Sequence, residues 1–194
     1  MPDVAGFLAR WDSPGTARRP ARLHRSEAGN INTVGLPGIH EAEDLDPAHP
    51  DWRAAIEDGV WPLVRTLTSD GWSLTTYDSC QGHAYRDPAL PPAQRRVGVL
   101  PRSGAELLAV AAALCRAVRA AAPLVPAPVR VSLNRCLLTC GRTGDGHPVL
   151  DLSLDRAPGA GWDAYFAALD EATAALVTCL AAERPTADAG CGCR

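Results

Sequence analysis

The chain has no lysine, all 19 of its basic residues being arginine. This excludes a lysine Schiff base, a lysine general base and the lysine of a phosphate-binding P-loop. An apolar run of about eighteen residues, the length needed to span a membrane, is also missing. The longest apolar helical stretch is interrupted by Arg116 and Arg119. No basic segment leading into an apolar one opens the sequence, so no export signal is read and a cytosolic protein without membrane contact is expected. An excess of one charge is also missing: 19 basic against 22 acidic residues leave a net value of -3, which gives no general attraction for phosphate polymers. Arg18, Arg19, Arg22 and Arg25 make a local basic stretch that could meet an anionic ligand, although a solvated arm is the favoured reading.

Cysteine is plentiful by contrast. Seven cysteines are an odd number, and without an export signal they point to thiol chemistry or metal binding more than to a disulfide framework. At 194 residues the chain fits one domain with a core large enough to fold without covalent staples.

Residues 1 to 50 are rich in Pro, Gly, Asp and Arg and show no sustained period beyond a short helical stretch from Val4 to Trp11, so they read as an irregular arm. From the N-cap Asp51, the residues Trp52, Ile56, Val60, Leu63 and Leu67 recur at helical spacing. Pro62 forbids one unbroken helix, and a break is expected near Gly59. Trp72 to Tyr77 reads as a strand, and Arg96 to Leu100 as its antiparallel partner beyond a proline-rich loop. Ser103-Gly104-Ala105-Glu106 is a capping box opening a helix to Ala121, with Leu107, Leu108, Ala111, Leu114, Cys115 and Val118 on the apolar stripe. Val129 to Leu138 and Val149 to Leu154 form a second strand pair. A last helix from Gly161 to Glu183 turns Tyr165, Leu169, Ala172, Leu176 and Leu180 inward. The order α-β-β-α-β-β-α implies an α+β domain over 51 to 184, a mainly antiparallel four-stranded sheet packed with helices. Residues 185 to 194, following the last helix, are expected to be a mobile cysteine-containing tail.

The functional centre is expected at Asp78-Ser79-Cys80-Gln81-Gly82-His83, where a thiol and an imidazole stand three residues apart on a glycine-containing turn after a strand. Two chemistries use that spacing. In one, His83 stabilises a nucleophilic Cys80 thiolate and Asp78 orients the imidazole. In the other, Cys80 and His83 are two ligands of a metal site, such as zinc, iron or copper, that needs one or two more. His40 is the first candidate to complete it, with His49, Glu41 and Glu43 close by in the acidic end of the arm. Cys136 and Cys140 share a strand face but stand too far apart for one ion. Cys115 and Cys179 read as small core residues. Cys191 and Cys193 form a tail dithiol that could carry a soft metal. Gly141 to Gly146 is a hairpin turn, since a phosphate cradle needs a helix to follow it.

From Asp51 to His83 the order of a helix ending in Leu63-Val64-Arg65-Thr66-Leu67, a strand with Thr75-Thr76, and Ser79-Cys80-Gln81-Gly82-His83 resembles the tRNA wybutosine-synthesizing protein 3 family. Members carry Ser-Cys-Ser-Gly-Arg there, and related small proteins carry Ser-Cys-x-Gly-His. The resemblance implies an α+β fold whose Ser-Cys-x-Gly turn borders the functional pocket, and S-adenosylmethionine-dependent methylation of a modified tRNA guanosine, with Ser79 and Gly82 at the cofactor. This chain has His83 where the family has arginine, and none of the lysines expected of an RNA binder. The residues themselves favour a small cytosolic enzyme acting on a small molecule through Cys80 and His83. The alternatives are the tRNA methyltransferase and a non-enzymatic metal carrier using the tail dithiol.

Overall fold

The structure, a computed structural model, describes residues 52–69, 71–84, 92–139 and 146–184, together with the strands Leu23–Arg25 (β1) and Ile31–Thr33 (β2). These two short strands pair antiparallel, so the segment expected to be irregular contains a small ladder and the strand count exceeds four. The main domain runs α1 (Trp52–Ala55), α2 (Trp61–Thr68), β3 (Thr75–Cys80), β4 (Arg95–Leu100), α3 (Gly104–Ala121), β5 (Val129–Thr139), β6 (Gly146–Arg156) and α4 (Trp162–Ala182). It is an α+β fold whose four-stranded antiparallel sheet has the order β3-β4-β6-β5.

The apolar alternation of β6 decides which face is covered. Leu150, Leu152 and Leu154 are buried, and their register partners Val99, Val97, Leu133 and Val131 lie on the same face. That face meets Leu107, Val110, Leu114 and Ala117 of α3 and the inward stripe of α4, where Tyr165, Leu169, Ala172, Leu176 and Leu180 are all buried as expected. Each fully buried leucine contributes roughly 1.5–3 kcal/mol. On α3 the stripe sits one step away from the expected one. Leu108 is 70% exposed and Cys115 is also exposed, their places being taken by Val110, Ala113 and Ala117. Ser103 caps α3 as expected, its hydroxyl accepting from the Glu106 N–H, but the reciprocal half of the box is replaced, the Glu106 carboxylate accepting from the Arg102 N–H and guanidinium instead. By length and composition α4 could cross a membrane, but it is packed as a core helix and carries Asp163, Asp170 and Glu171.

The expected helix break occurs at residues 56 to 60. Pro62 sits in the first turn of α2, where a missing N–H costs nothing. The strand after α2 starts three residues later than its apolar alternation suggests. Trp72 and Ser73 N–H groups both donate to the Ser69 carbonyl, Ser73 takes φ 49°, and the Trp72 indole donates to the Leu180 carbonyl at 3.0 Å. Trp72 and Leu74 thus seal the exit of α2 against α4. β3 shifts to Thr75–Cys80, so Asp78, Ser79 and Cys80 belong to the strand and not to a turn. One extra residue between Tyr77 and Cys80 bulges the ladder, and bulges commonly re-aim the side chains beside them.

Candidate metal centre

Strand β3 ends at Cys80, and the chain then crosses Gln81 and Gly82 to reach His83. His83 is locked by two backbone hydrogen bonds to Ala93, its N–H donating at 3.0 Å and its carbonyl accepting at 2.9 Å. Gly82 makes the approach possible. Its φ is +86°, and a Cβ there would meet the Arg95 nitrogen at 3.1 Å and Leu169 Cδ1 at 3.2 Å. The Gly82 N–H donates to Cys80 Sγ at 3.4 Å.

The third member is Glu57, in the break between α1 and α2. It is 7% exposed, and its Oε1 lies 3.0 Å from His83 Nε2, the imidazole being 6% exposed. Its Oε2 accepts from the Gln81 N–H at 2.7 Å. One donor atom each from Glu57, Cys80 and His83 lies within 4.8 Å of the other two, so this buried group could hold a metal ion. Burial by itself disfavours the imidazolium. Hydrogen bonds to Cys80 and Glu57, with the charges of both, outweigh that and raise the His83 pKa from 6.5 to about 9.

The three donor groups lie close enough to share one ion. The contacts of His83 with both Cys80 and Glu57 are also those a thiol–imidazole–carboxylate relay uses.

Behind the site stands Arg95, 5% exposed at the start of β4. Its Nε donates to the Gln81 carbonyl at 2.7 Å, and Nη1 donates to Thr173 Oγ1 at 2.7 Å and Asp170 Oδ1 at 3.0 Å. The Gly59 N–H donates to Gln81 Oε1 at 3.0 Å. The Arg95 N–H donates to the Tyr165 hydroxyl, which in turn donates to the Leu154 carbonyl at 2.6 Å, closing the end of the β4–β6 ladder. Burial pushes the Tyr165 pKa up to about 12, so the phenol stays protonated.

Of the residues the sequence singled out, Cys80 and His83 come together. Gly82 serves their backbone geometry, and Ser79 is the half-buried strand residue before Cys80. The Asp78 side chain, His40, His49, Glu41, Glu43, Cys140, Cys191 and Cys193 lie outside the described residues. Glu57, Gln81 and Arg95 were not singled out as site residues. Glu57 stands at the expected helix break, and a carboxylate beside a break, inside an apolar pattern, is the signal that could have marked it. Cys179 is buried as expected, whereas Cys136 is exposed with its sulfur 3.4 Å from Asp151 Oδ2. Desolvation and Asp151 raise the pKa of that thiol, making it a poor nucleophile.

No protein-family model matches the chain, and no curated protein or solved structure matches it either.

Proposed function

We propose that this chain is a small metal-dependent enzyme in which Glu57, Cys80 and His83 hold one ion, with zinc the best fit, and a small-molecule substrate occupies the remaining position. The observation that carries the reading is a carboxylate oxygen, a cysteine sulfur and an imidazole nitrogen all within 4.8 Å of one another. Three protein ligands leave a fourth tetrahedral position open, as in catalytic rather than structural zinc sites, and this mixed donor set suits zinc. When bound, such an ion supplies Lewis acidity and an acidified water. The protein's own part is to exclude bulk water through burial of Glu57 and His83 and to direct the Gly82 N–H onto the sulfur.

The test is elemental analysis of protein purified without added metal, comparing wild type with Glu57→Ala, Cys80→Ala and His83→Ala. Near-stoichiometric zinc, iron or copper in wild type and its loss in each variant are expected. Equal content in all four proteins removes the reading.

A second reading draws on the hydrogen bond between His83 and Cys80 and the raised His83 pKa. It makes the pair a thiolate–imidazolium nucleophile, with Glu57 orienting the imidazole. Rapid alkylation of Cys80 by iodoacetamide at neutral pH, in protein that purifies without metal, supports this alternative. Calorimetric titration with S-adenosylmethionine addresses the methyltransferase expectation in the same samples.

A further inference from the structure

Gln81 is held at three points. Its N–H is given to Glu57 Oε2 at 2.7 Å, its carbonyl accepts from Arg95 Nε at 2.7 Å, and its side-chain oxygen accepts from the Gly59 N–H at 3.0 Å. Arg95 is fixed in turn by Thr173 and Asp170 of α4. A guanidinium can make these divergent contacts at once because its donors lie in a rigid plane, which the single ammonium of lysine cannot match. Gly59 completes the packing, since a Cβ there would meet Arg95 Nη2 at 2.8 Å and Gln81 Oε1 at 2.9 Å.

We infer that Arg95 is the positioning residue of the centre. By fixing the Gln81 backbone it keeps Glu57 Oε2 engaged and leaves Oε1, which faces His83 Nε2 at 3.0 Å, as the carboxylate atom turned toward the site. The inference rests on the metal reading above for its functional meaning, although the hydrogen-bond chain exists without an ion. A carboxylate with one oxygen already engaged binds an ion through the other alone, and that conserves a coordination position for an exogenous molecule. Arg95 touches neither the substrate position nor any of the three donor side chains through a described hydrogen bond; it acts through Gln81.

The probe is Co(II) added to metal-stripped protein, followed by its visible spectrum, with amide hydrogen exchange of the metal-free protein measured in parallel. Arg95→Lys removes the fork while keeping a cation for Asp170. Gly59→Ala pushes on the same contacts without deleting any of them. Each variant is expected to bind Co(II) 10–100-fold more weakly, the usual effect of losing an outer partner of a ligand. Each should also alter the thiolate-to-cobalt band and exchange the Gln81 amide faster than wild type. Wild-type affinity, spectrum and exchange in both variants overturn the inference and leave the metal reading standing. If wild type itself takes up no Co(II), the metal reading falls, and the exchange of the Gln81 amide alone then decides the inference. Unaltered exchange overturns it. Should Arg95→Lys fail to fold, Gly59→Ala carries the same three readouts.

Discussion

Replacing Glu57 by glutamine tests the centre most directly, because it deletes one charge while preserving shape. In the native chain the carboxylate is buried and accepts from two donors, the Gln81 N–H at 2.7 Å and His83 Nε2 at 3.0 Å. Breaking a buried ion pair by removing one partner costs about 3–5 kcal/mol when nothing replaces it. Glutamine keeps one oxygen able to accept from the Gln81 N–H, so the cost in metal-free protein falls to about 1–3 kcal/mol, the price of one poorly satisfied buried group. The metal-loaded protein behaves differently. A ligand is lost and not merely a neighbour, so affinity should fall by more than the 10–100-fold typical of outer-shell changes. Urea unfolding with and without added Zn(II) reads both effects together. Wild type should gain stability on adding metal, by mass action on the folded state, and Glu57→Gln should gain far less. An equal gain in the two proteins would refute the assignment of Glu57 as a ligand.

Three further outcomes follow from the same geometry. The His83 pKa is about 9 in the folded state against 6.5 ordinarily, so folding favours the protonated ring. Metal-free protein should therefore keep this contribution in full below pH 6.5 and lose it as pH rises through about 9, a decline of up to about 3 kcal/mol in urea titrations at successive pH values. Stability that rises over that interval would contradict it. Gly82→Ala places a side chain at φ +86° against the Arg95 nitrogen and Leu169, and should lower stability by at least about 1–2 kcal/mol and weaken metal uptake, measured by unfolding and elemental analysis. Tyr165→Phe leaves the Arg95 N–H and the Leu154 carbonyl without the hydroxyl between them, which should cost about 1–3 kcal/mol in urea unfolding without altering the Cys80 side chain.

The element order was legible in the sequence because periodicity reports burial, and burial is what the helices and β6 obey. The Trp52-to-Leu67 pattern, the break ahead of Pro62 and the inward stripe of α4 all appear where spacing puts them. Spacing failed where an apolar residue serves a local closure. Trp72 and Leu74 alternate like strand residues but seal the end of α2, which moves β3 along the chain. It failed again on α3, where alanines are indistinguishable by hydrophobicity and Leu108 and Cys115 face outward. Within the centre, Cys80 and His83 were legible because they are neighbours in sequence and carry distinctive chemistry. Glu57 and Arg95 were not, since one acidic residue among 22 and one arginine among 19 gain meaning only when folding brings them to the turn.

The anchoring of Arg95 by Thr173, 78 residues further along the chain, has a consequence for biosynthesis. At synthesis rates of about 5–20 residues per second, α4 emerges several seconds after the thiol and imidazole have left the ribosome. During that interval Cys80 and His83 are present while the α4 partners of Arg95 are not. The contacts that hold Arg95 against α4 are therefore the last of the described hydrogen bonds around the centre to become available as the chain is made.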